Sequence, residues 1–238
     1  MKYLILYVYF ETEDSKLNLE FFLKNGVVSI DDREFVFIIK GHKCSVVFPE
    51  QKNVKTIKMS NIAHDFGGWT MGLSNVDISQ YSHFIFLNDT VRGPFIPRYL
   101  PKESWVKCFT SLLNDKVKLV GSTINYQSIK HVQSMAFSTD LQGLKILIDE
   151  KIFNIDNCAK MSKGHLIRYC EMEMSNVLIK RGYEIEGLQL SENKKIPTND
   201  IHYVGKYFGS TINPIETMFI KTNRINDVNV KNYSKWNS

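Results

Sequence analysis

The chain has 238 residues, of which 43% are hydrophobic and 23% charged, as is usual for a globular protein. Its net charge of +5 favours acidic ligands such as nucleotides, phosphates or nucleic acid, although a charge of this size also serves solubility alone. The four cysteines are widely spaced, which argues against a zinc site and against the disulfide framework of a secreted protein. We therefore expect a soluble cytoplasmic protein with no membrane span.

The first half of the chain alternates between strand-like and helix-like segments. The N-terminal run MKYLILYVYF lacks the small-residue cleavage site of a signal peptide and is better explained as a buried strand. Apolar runs predict strands at 3–10, 34–41, 44–50, 53–61 and 83–89. Apolar residues at three- and four-residue spacing predict helices at 17–26 and 68–76. This alternation is typical of βαβ units with a parallel sheet.

The second half is more mixed. It has helical spacing at 104–115, 141–153 and 165–183, and strand-like runs at 118–126 and 131–140. Thr139 or Asp140 is expected to cap the helix at 141–153. The chain contains no repeats and no linker rich in Pro, Gly or Ser, so one domain is the simplest prediction.

Polar residues follow several of the predicted strands. In an open α/β sheet, ligands bind at the carboxyl ends of the strands, so these residues are candidates for a site that binds a base, a ribose and a diphosphate. For any single residue, an ordinary polar loop is the simpler explanation, and only the grouping favours a site. The candidates are Tyr9, Glu11, Lys40, Asp65, Gly67, Gly68, Asn88, Asp89 and Arg92.

Asp89 directly follows the apolar run FIFLN. A carboxylate at the end of a strand can bind a hard divalent cation whose other ligands are water and phosphate oxygens. A lone aspartate also commonly caps a turn, and on this evidence alone the turn is the stronger explanation.

The order of the motifs adds a resemblance. NIAHDFGGWTMGL followed by YSHFIFLNDT resembles the core of inverting glycosyltransferases of the GT-A fold. Asn88 and Thr90 stand where the family has the two aspartates of its Asp-x-Asp motif, so the chain retains one carboxylate, Asp89, between them. The resemblance implies Mn²⁺ or Mg²⁺ bound by Asp89 alone, or a weaker dependence on metal.

A second segment, CEMEMSNVLIKRGYEI, resembles the acidic helix that carries the catalytic base in this family. Glu171 falls at the position of the base, which takes the proton of the acceptor hydroxyl during an inverting transfer. The alternative is that Glu171 and Glu173 are solvated helix residues, with Glu173 paired to Lys180 or Arg181.

The combination of DFGGW, FLNDTVRGP, KLVGSTINY, HVQSMAFSTD and NPIETMFIKTNR is similar to small bacterial and giant-virus glycosyltransferase domains, including one from a chlorella-virus enzyme of capsid-glycan synthesis. The resemblance implies an α/β fold with a Rossmann-like nucleotide-binding front half and a mixed central sheet flanked by helices. It divides a single domain at 1–238 into a nucleotide-sugar-binding half (1–100), an acceptor and catalytic half (101–225) and a polar tail (226–238).

The same resemblance implies a hexosyltransferase that moves a sugar, rhamnose or glucose, from a UDP-sugar to a hydroxyl of a glycan or glycoconjugate acceptor. In this interpretation Arg92 contacts the diphosphate and Asp65 bonds the ribose or uracil. Gly67 and Gly68 let the backbone approach the ligand. His131 could face the acceptor, although a structural histidine is the simpler explanation.

Three alternatives stay open. The missing second aspartate is compatible with an inactive transferase-like domain that only binds carbohydrate or nucleotide. A nucleotidyltransferase usually has a glycine-rich basic loop after its first strand, where this chain has the acidic FETEDSK. A nucleic-acid-binding module would show a basic stripe with interleaved aromatics, but Lys and Arg are scattered, so we expect no nucleic-acid partner.

Overall fold

The computed structural model describes residues 1–189, 201–207, 209–225, 232–233 and 235. The strands are β1 Tyr3–Phe10, β2 Arg33–Lys40, β3 Val54–Met59, β4 His83–Asn88, β5 Val91–Arg92, β6 Val117–Gly121, β7 Ile124–Gln127, β8 Ile129–Val132, β9 Ala136–Asp140, β10 Glu184–Gly187 and β11 Ile220–Lys221. The helices are α1 Glu13–Asn25, α2 His64–Ser74, α3 Trp105–Thr110, α4 Leu141–Asp149, α5 Ile155–Lys160, α6 Lys163–Leu166, α7 Glu173–Lys180 and α8 Pro214–Thr217.

A seven-stranded sheet lies at the centre, in the order β10-β6-β9-β4-β1-β2-β3. Within this sheet β9 runs antiparallel to its neighbours β4 and β6, and the other pairs are parallel. The sheet is therefore mixed, with a parallel front part, as predicted. Because β4 pairs with β9, the two halves of the sequence share one sheet.

Both faces of the sheet are covered. Alternate residues of β1 project to opposite faces, so Leu4 and Val8 join one core cluster and Ile5 and Tyr7 join the other. Trp69 of α2 is fully buried in the first cluster, as expected for a core tryptophan. Burial on both sides explains why β1 is a continuous apolar run instead of an alternating one.

Several element boundaries differ from the sequence prediction. Helix α1 begins at Glu13, four residues early, because Thr12 and Ser15 form a capping box that the apolar spacing does not reveal. The strand predicted at 44–50 is wrong: this stretch has no regular structure, and Val47 within it is 88% exposed. The runs 118–126 and 131–140 each divide into two strands, because the chain turns from the central sheet into the β7–β8 hairpin.

The predicted helix at 165–183 is broken into three parts. It starts at Lys163 as α6, widens into a π-helical turn over Ile167–Met172, and continues as α7 to Lys180. Such π turns are rare and occur frequently at functional sites. Asp140 is the N-cap of α4, as one of the two predicted caps.

No helix in the described part of the chain is long and apolar enough to cross a membrane. The predicted tail at 226–238 lies almost entirely outside the described residues, and the boundary between the two predicted halves stays a prediction.

Candidate functional site

The carboxyl ends of β1 and β4 lie side by side and bring Asp89 against the end of β1. The backbone N–H of Phe10 donates a hydrogen bond of 2.6 Å to Oδ2 of Asp89. Burial raises the pKa of the Asp89 carboxyl to about 7, and the charge of the neighbouring Asp65 is the next largest cause. Asp89 therefore faces a second carboxylate at the sheet edge, as the arrangement of strand ends predicts.

Asn88 connects this edge to α2. Its Nδ2 donates to Oδ2 of Asp65 at 2.9 Å, and its Oδ1 accepts from the backbone N–H and the hydroxyl of Thr90. Both ends of the Asn88 side chain are thus engaged within the protein. Burial raises the pKa of Asp65, against the opposing effect of the Lys40 charge.

Lys40 supplies the positive charge beside the two aspartates. Its side chain is only 4% exposed, and Nζ donates to the carbonyl oxygen of His64 at 2.8 Å. Burial lowers the pKa of Lys40, while the charges of Asp65 and Asp89 oppose that shift. The backbone at Ala63 and His64 has positive φ values, 58° and 49°, a conformation that non-glycine residues adopt rarely and that clusters at functional sites. The hydrogen bond from Lys40 to the carbonyl oxygen of His64 holds this turn in place.

Glu171 lies on the π-helical turn and is fixed by the connection between β8 and β9. Its Oε2 accepts from the backbone N–H of Ser134 at 2.8 Å and from the Ser134 hydroxyl. Its Oε1 is 3.9 Å from Nε2 of His131, which is 1% exposed and also contacts the carbonyl oxygen of Ile129 through Nδ1. Glu171 is therefore a held carboxylate, not a freely solvated helix residue, and His131 is structural.

Two adjoining pockets at this edge share walls, and we call the pair "the cleft". The pocket that contains Asp89 has a volume of about 390 Å³, within the range of small-molecule sites. Five of the predicted site residues line the cleft: Lys40, Asp65, Asn88, Asp89 and Glu171. The shared wall consists of His64, Asp65, Thr90, Lys163 and Asn223.

The other predicted site residues have internal partners. Tyr9 is fully buried, and Glu11 accepts from the backbone N–H of Ser45 and pairs with Lys43 at 3.1 Å. Arg92 is buried on β5, and its Nε donates to Oδ1 of Asn18 at 3.0 Å. Tyr9, Glu11 and Arg92 do not line the cleft, so the diphosphate contact predicted for Arg92 does not fit its position.

Gly67 and Gly68 are required by packing. A Cβ at Gly68 would lie 2.7 Å from Cγ2 of Val8, and one at Gly67 would lie 2.2 Å from Cβ of Ala63. Gly68 thus lets α2 approach β1 closely, and Gly67 leaves room for Ala63 at the start of α2, which explains both without a ligand.

The sequence reasoning missed three basic residues that line the cleft, Lys163, Lys221 and Arg224. Lys221 and Arg224 lie in the segment NPIETMFIKTNR, and no local pattern there indicates a binding role for its basic residues. Lys221 pairs with Val91 across β11 and β5, and the backbone N–H of Thr222 donates to the carbonyl of Thr90 at 3.1 Å. The long-range pairing, invisible in a local pattern, brings this segment beside Asp89.

The residues at the predicted metal position do not form a protein-only cation site. Among the described residues, no group of three or more His, Cys, Asp or Glu side chains could hold a metal ion. The two neighbours of Asp89, Asn88 and Thr90, bond to one another, and Lys40 already supplies positive charge. One carboxylate of this kind would leave most ligand positions to water and to substrate phosphates, so Mn²⁺ or Mg²⁺ at Asp89 stays a prediction.

No protein-family model matches the chain, and no curated protein matches it. Among solved structures, it is similar to a glycosyltransferase involved in the glycosylation of the major capsid of PBCV-1, with a TM-score of 0.50 and 11% identity over 99% of this chain and 100% of that one. It also matches the mannosyltransferase PcManGT from Pyrobaculum calidifontis, solved with GDP-Man and Mn²⁺, with a TM-score of 0.47 and 6% identity. That match covers 78% of this chain and about half, 54%, of the mannosyltransferase. The chain therefore has the GT-A-like α/β fold of glycosyltransferases, as the resemblance of its motifs implies.

Proposed function

We propose that the chain is a glycosyltransferase that moves a sugar from a nucleotide-sugar donor to a hydroxyl of a glycan or glycoconjugate acceptor. The observation that carries the proposal is the position of Glu171, a held carboxylate that shares one cleft with the Asp65–Asn88–Asp89 corner of the sheet. The fold supports the same class. A UDP-sugar, with rhamnose or glucose as the sugar, is the donor that the sequence resemblance favours.

Glu171 is the base in this proposal. Oε2 is occupied by Ser134, so Oε1 is the oxygen that receives the proton of the acceptor hydroxyl. The acceptor oxygen forms a bond to the anomeric carbon as the bond from that carbon to the diphosphate breaks. The electron pair of the broken bond leaves with the diphosphate. A single displacement of this kind inverts the configuration of the anomeric carbon.

The corner residues bind the donor. Asp65 is held towards the cleft by Asn88 and can accept hydrogen bonds from ribose or base, while Lys40 fixes the turn that carries it. The pocket that contains Asp89, next to Phe10 and Asn18, supplies the space for the nucleoside. No step is assigned to a metal ion.

A second candidate is a binding domain without transfer activity, which the replacement of both motif aspartates by Asn88 and Thr90 favours. A screen of thermal stability with UDP, GDP and dTDP, and with their sugar conjugates, tests both candidates, since a ligand that binds only the folded state raises the unfolding temperature. The transferase predicts a shift with one nucleoside diphosphate and release of that diphosphate from its sugar conjugate. Binding without release over a range of glycan acceptors favours the binding domain, and no shift with any nucleotide contradicts both the transferase and a nucleotide-binding domain.

A further inference from the structure

The Asp65–Asn88–Asp89 corner, where the donor is proposed to bind, already has a positive charge beside it. Lys40 is buried beside Asp65 and Asp89, and the charges of both aspartates act on its ammonium. The charge of that ammonium would oppose a divalent cation placed at Asp89. With two carboxylates near one ammonium, this corner offers a bound diphosphate no excess of positive charge.

Three cations line one pocket of the cleft. Lys163, Lys221 and Arg224 line the pocket that also contains Asn88 and Glu171. None of the three forms an ion pair within 4.0 Å with an acidic residue of the described chain. Without a close acidic partner among the described residues, the three can bind an anionic ligand, and the charge of Lys163 also lowers the pKa of Asp65.

Lys221 and Arg224 are held next to the Asp65–Asn88–Asp89 corner. Asn18 donates from Nδ2 to the backbone carbonyl of Asp89 at 2.9 Å and to the hydroxyl of Thr222 at 3.0 Å, which ties the corner to the 221–224 segment. Arg224 lies over the ring of Tyr203, 4.7 Å from its centre. Preorganised cations of this kind stabilise charge that develops on a leaving group.

We infer that Lys163, Lys221 and Arg224 form the diphosphate subsite of this enzyme and neutralise the leaving diphosphate, so that binding and transfer proceed without a divalent cation. The inference rests on the proposed function and names the residues that stabilise its leaving group. These three residues take the role that the motif resemblance implies for Arg92 and for a metal at Asp89.

Calorimetric titration of the full chain with UDP and with uridine, in excess EDTA and again in MnCl₂, tests the inference. We expect UDP to bind in EDTA with a dissociation constant within about threefold of its value in Mn²⁺. Lys163→Met, Lys221→Met and Arg224→Met should each weaken UDP binding about tenfold, as loss of a charge-assisted hydrogen bond does. Uridine, which lacks the diphosphate, should bind these variants as it binds the wild type.

The matched control is Lys160→Met, which removes an exposed cation at the end of α5, outside the cleft lining. Lys163→Arg and Lys221→Arg keep the charge and should restore UDP binding, which separates charge from folding. UDP binding that requires Mn²⁺, or that ignores the three substitutions, would overturn the inference alone. Failure of the wild type to bind any nucleoside diphosphate would contradict the proposed function itself.

Discussion

Ser134 donates two hydrogen bonds to one carboxylate oxygen of Glu171, one from its backbone N–H and one from its hydroxyl. The same connection reaches the donor side, because the carbonyl of the next residue, Met135, accepts from the backbone N–H of Asn88 at 3.1 Å. Ser134 and Met135 therefore link the base to the corner that binds the donor. A shift of this connection would move both sides of the cleft together.

This relationship predicts a positioning role for the Ser134 hydroxyl. Ser134→Ala removes one of the two donors to Glu171 and should lower kcat about tenfold, the rate change that corresponds to about 1.4 kcal/mol. KM for the donor should change little, because the hydroxyl does not bind the nucleotide. Ser134→Thr retains the hydroxyl and should recover most of the rate. Equal kcat in Ser134→Ala and the wild type would contradict this role.

The Asp89 carboxyl predicts a dependence of stability on pH. Its pKa is about 7 in the folded protein, against about 3.9 in an unfolded chain, so the folded state binds more protons between these values. The free energy of unfolding should therefore fall as pH rises from about 4 to 7, by at most about 1.4 kcal/mol per unit of pKa shift and by less for a partly solvated group.

Urea unfolding of the wild type and Asp89→Asn between about pH 5 and pH 8 measures this effect. The substituted side chain keeps an amide oxygen for the N–H of Phe10 but does not ionise, so the variant should lose less stability across this range. Identical pH profiles for the two proteins would show that Asp89 does not titrate near pH 7.

Replacing Gly68 of α2 should create a packing defect. Gly68→Ala places a methyl group 2.7 Å from the side chain of Val8 and should destabilise the protein by about 1–3 kcal/mol, the usual cost of overpacking. Gly164→Ala is the control, because a Cβ at Gly164 meets nothing within 4 Å and alanine favours the helix. Thermal unfolding of both variants measures the difference, and equal melting temperatures would contradict the close packing of α2 on β1.

The buried Asn18 predicts a coupling between stability and ligand binding. Its side chain bonds to the carbonyl of Asp89, to Thr222 and to Arg92. Asn18→Ala should cost about 1–3 kcal/mol through the groups left without this partner, and should also weaken UDP binding as the 221–224 segment loosens. Loss of stability with unchanged UDP affinity would show that Asn18 does not position the cations of that segment.

The parts of the site that follow local patterns were predictable. The apolar runs of β1 and β4 show where these strands end, and the rule that strand ends gather at one edge brought Lys40, Asp65 and Asp89 together correctly. Arg92 could not be placed in this way, because its burial depends on a two-residue strand that pairs with β11 more than a hundred residues later.

Two of the three cations, Lys221 and Arg224, were missed because their placement also depends on distant pairing. Lys221 and Arg224 carry no local signature, and the pairing of β5 with β11 is what brings them to Asp89. The π-helical turn that presents Glu171 was also not predictable from the sequence. Its apolar residues recur at the spacing that predicts an ordinary α-helix. Resemblance of the motif, not periodicity, identified Glu171.

Glu171→Gln tests the central claim most directly. The measurement is release of UDP from UDP-glucose and UDP-rhamnose over a set of glycan acceptors, for the wild type and the variant, together with the affinity of each protein for UDP. The proposed mechanism predicts that the variant binds UDP within about twofold of the wild type but releases it at least about a hundredfold more slowly, the usual range for loss of a general base. Undiminished release by the Glu171→Gln variant would contradict the mechanism.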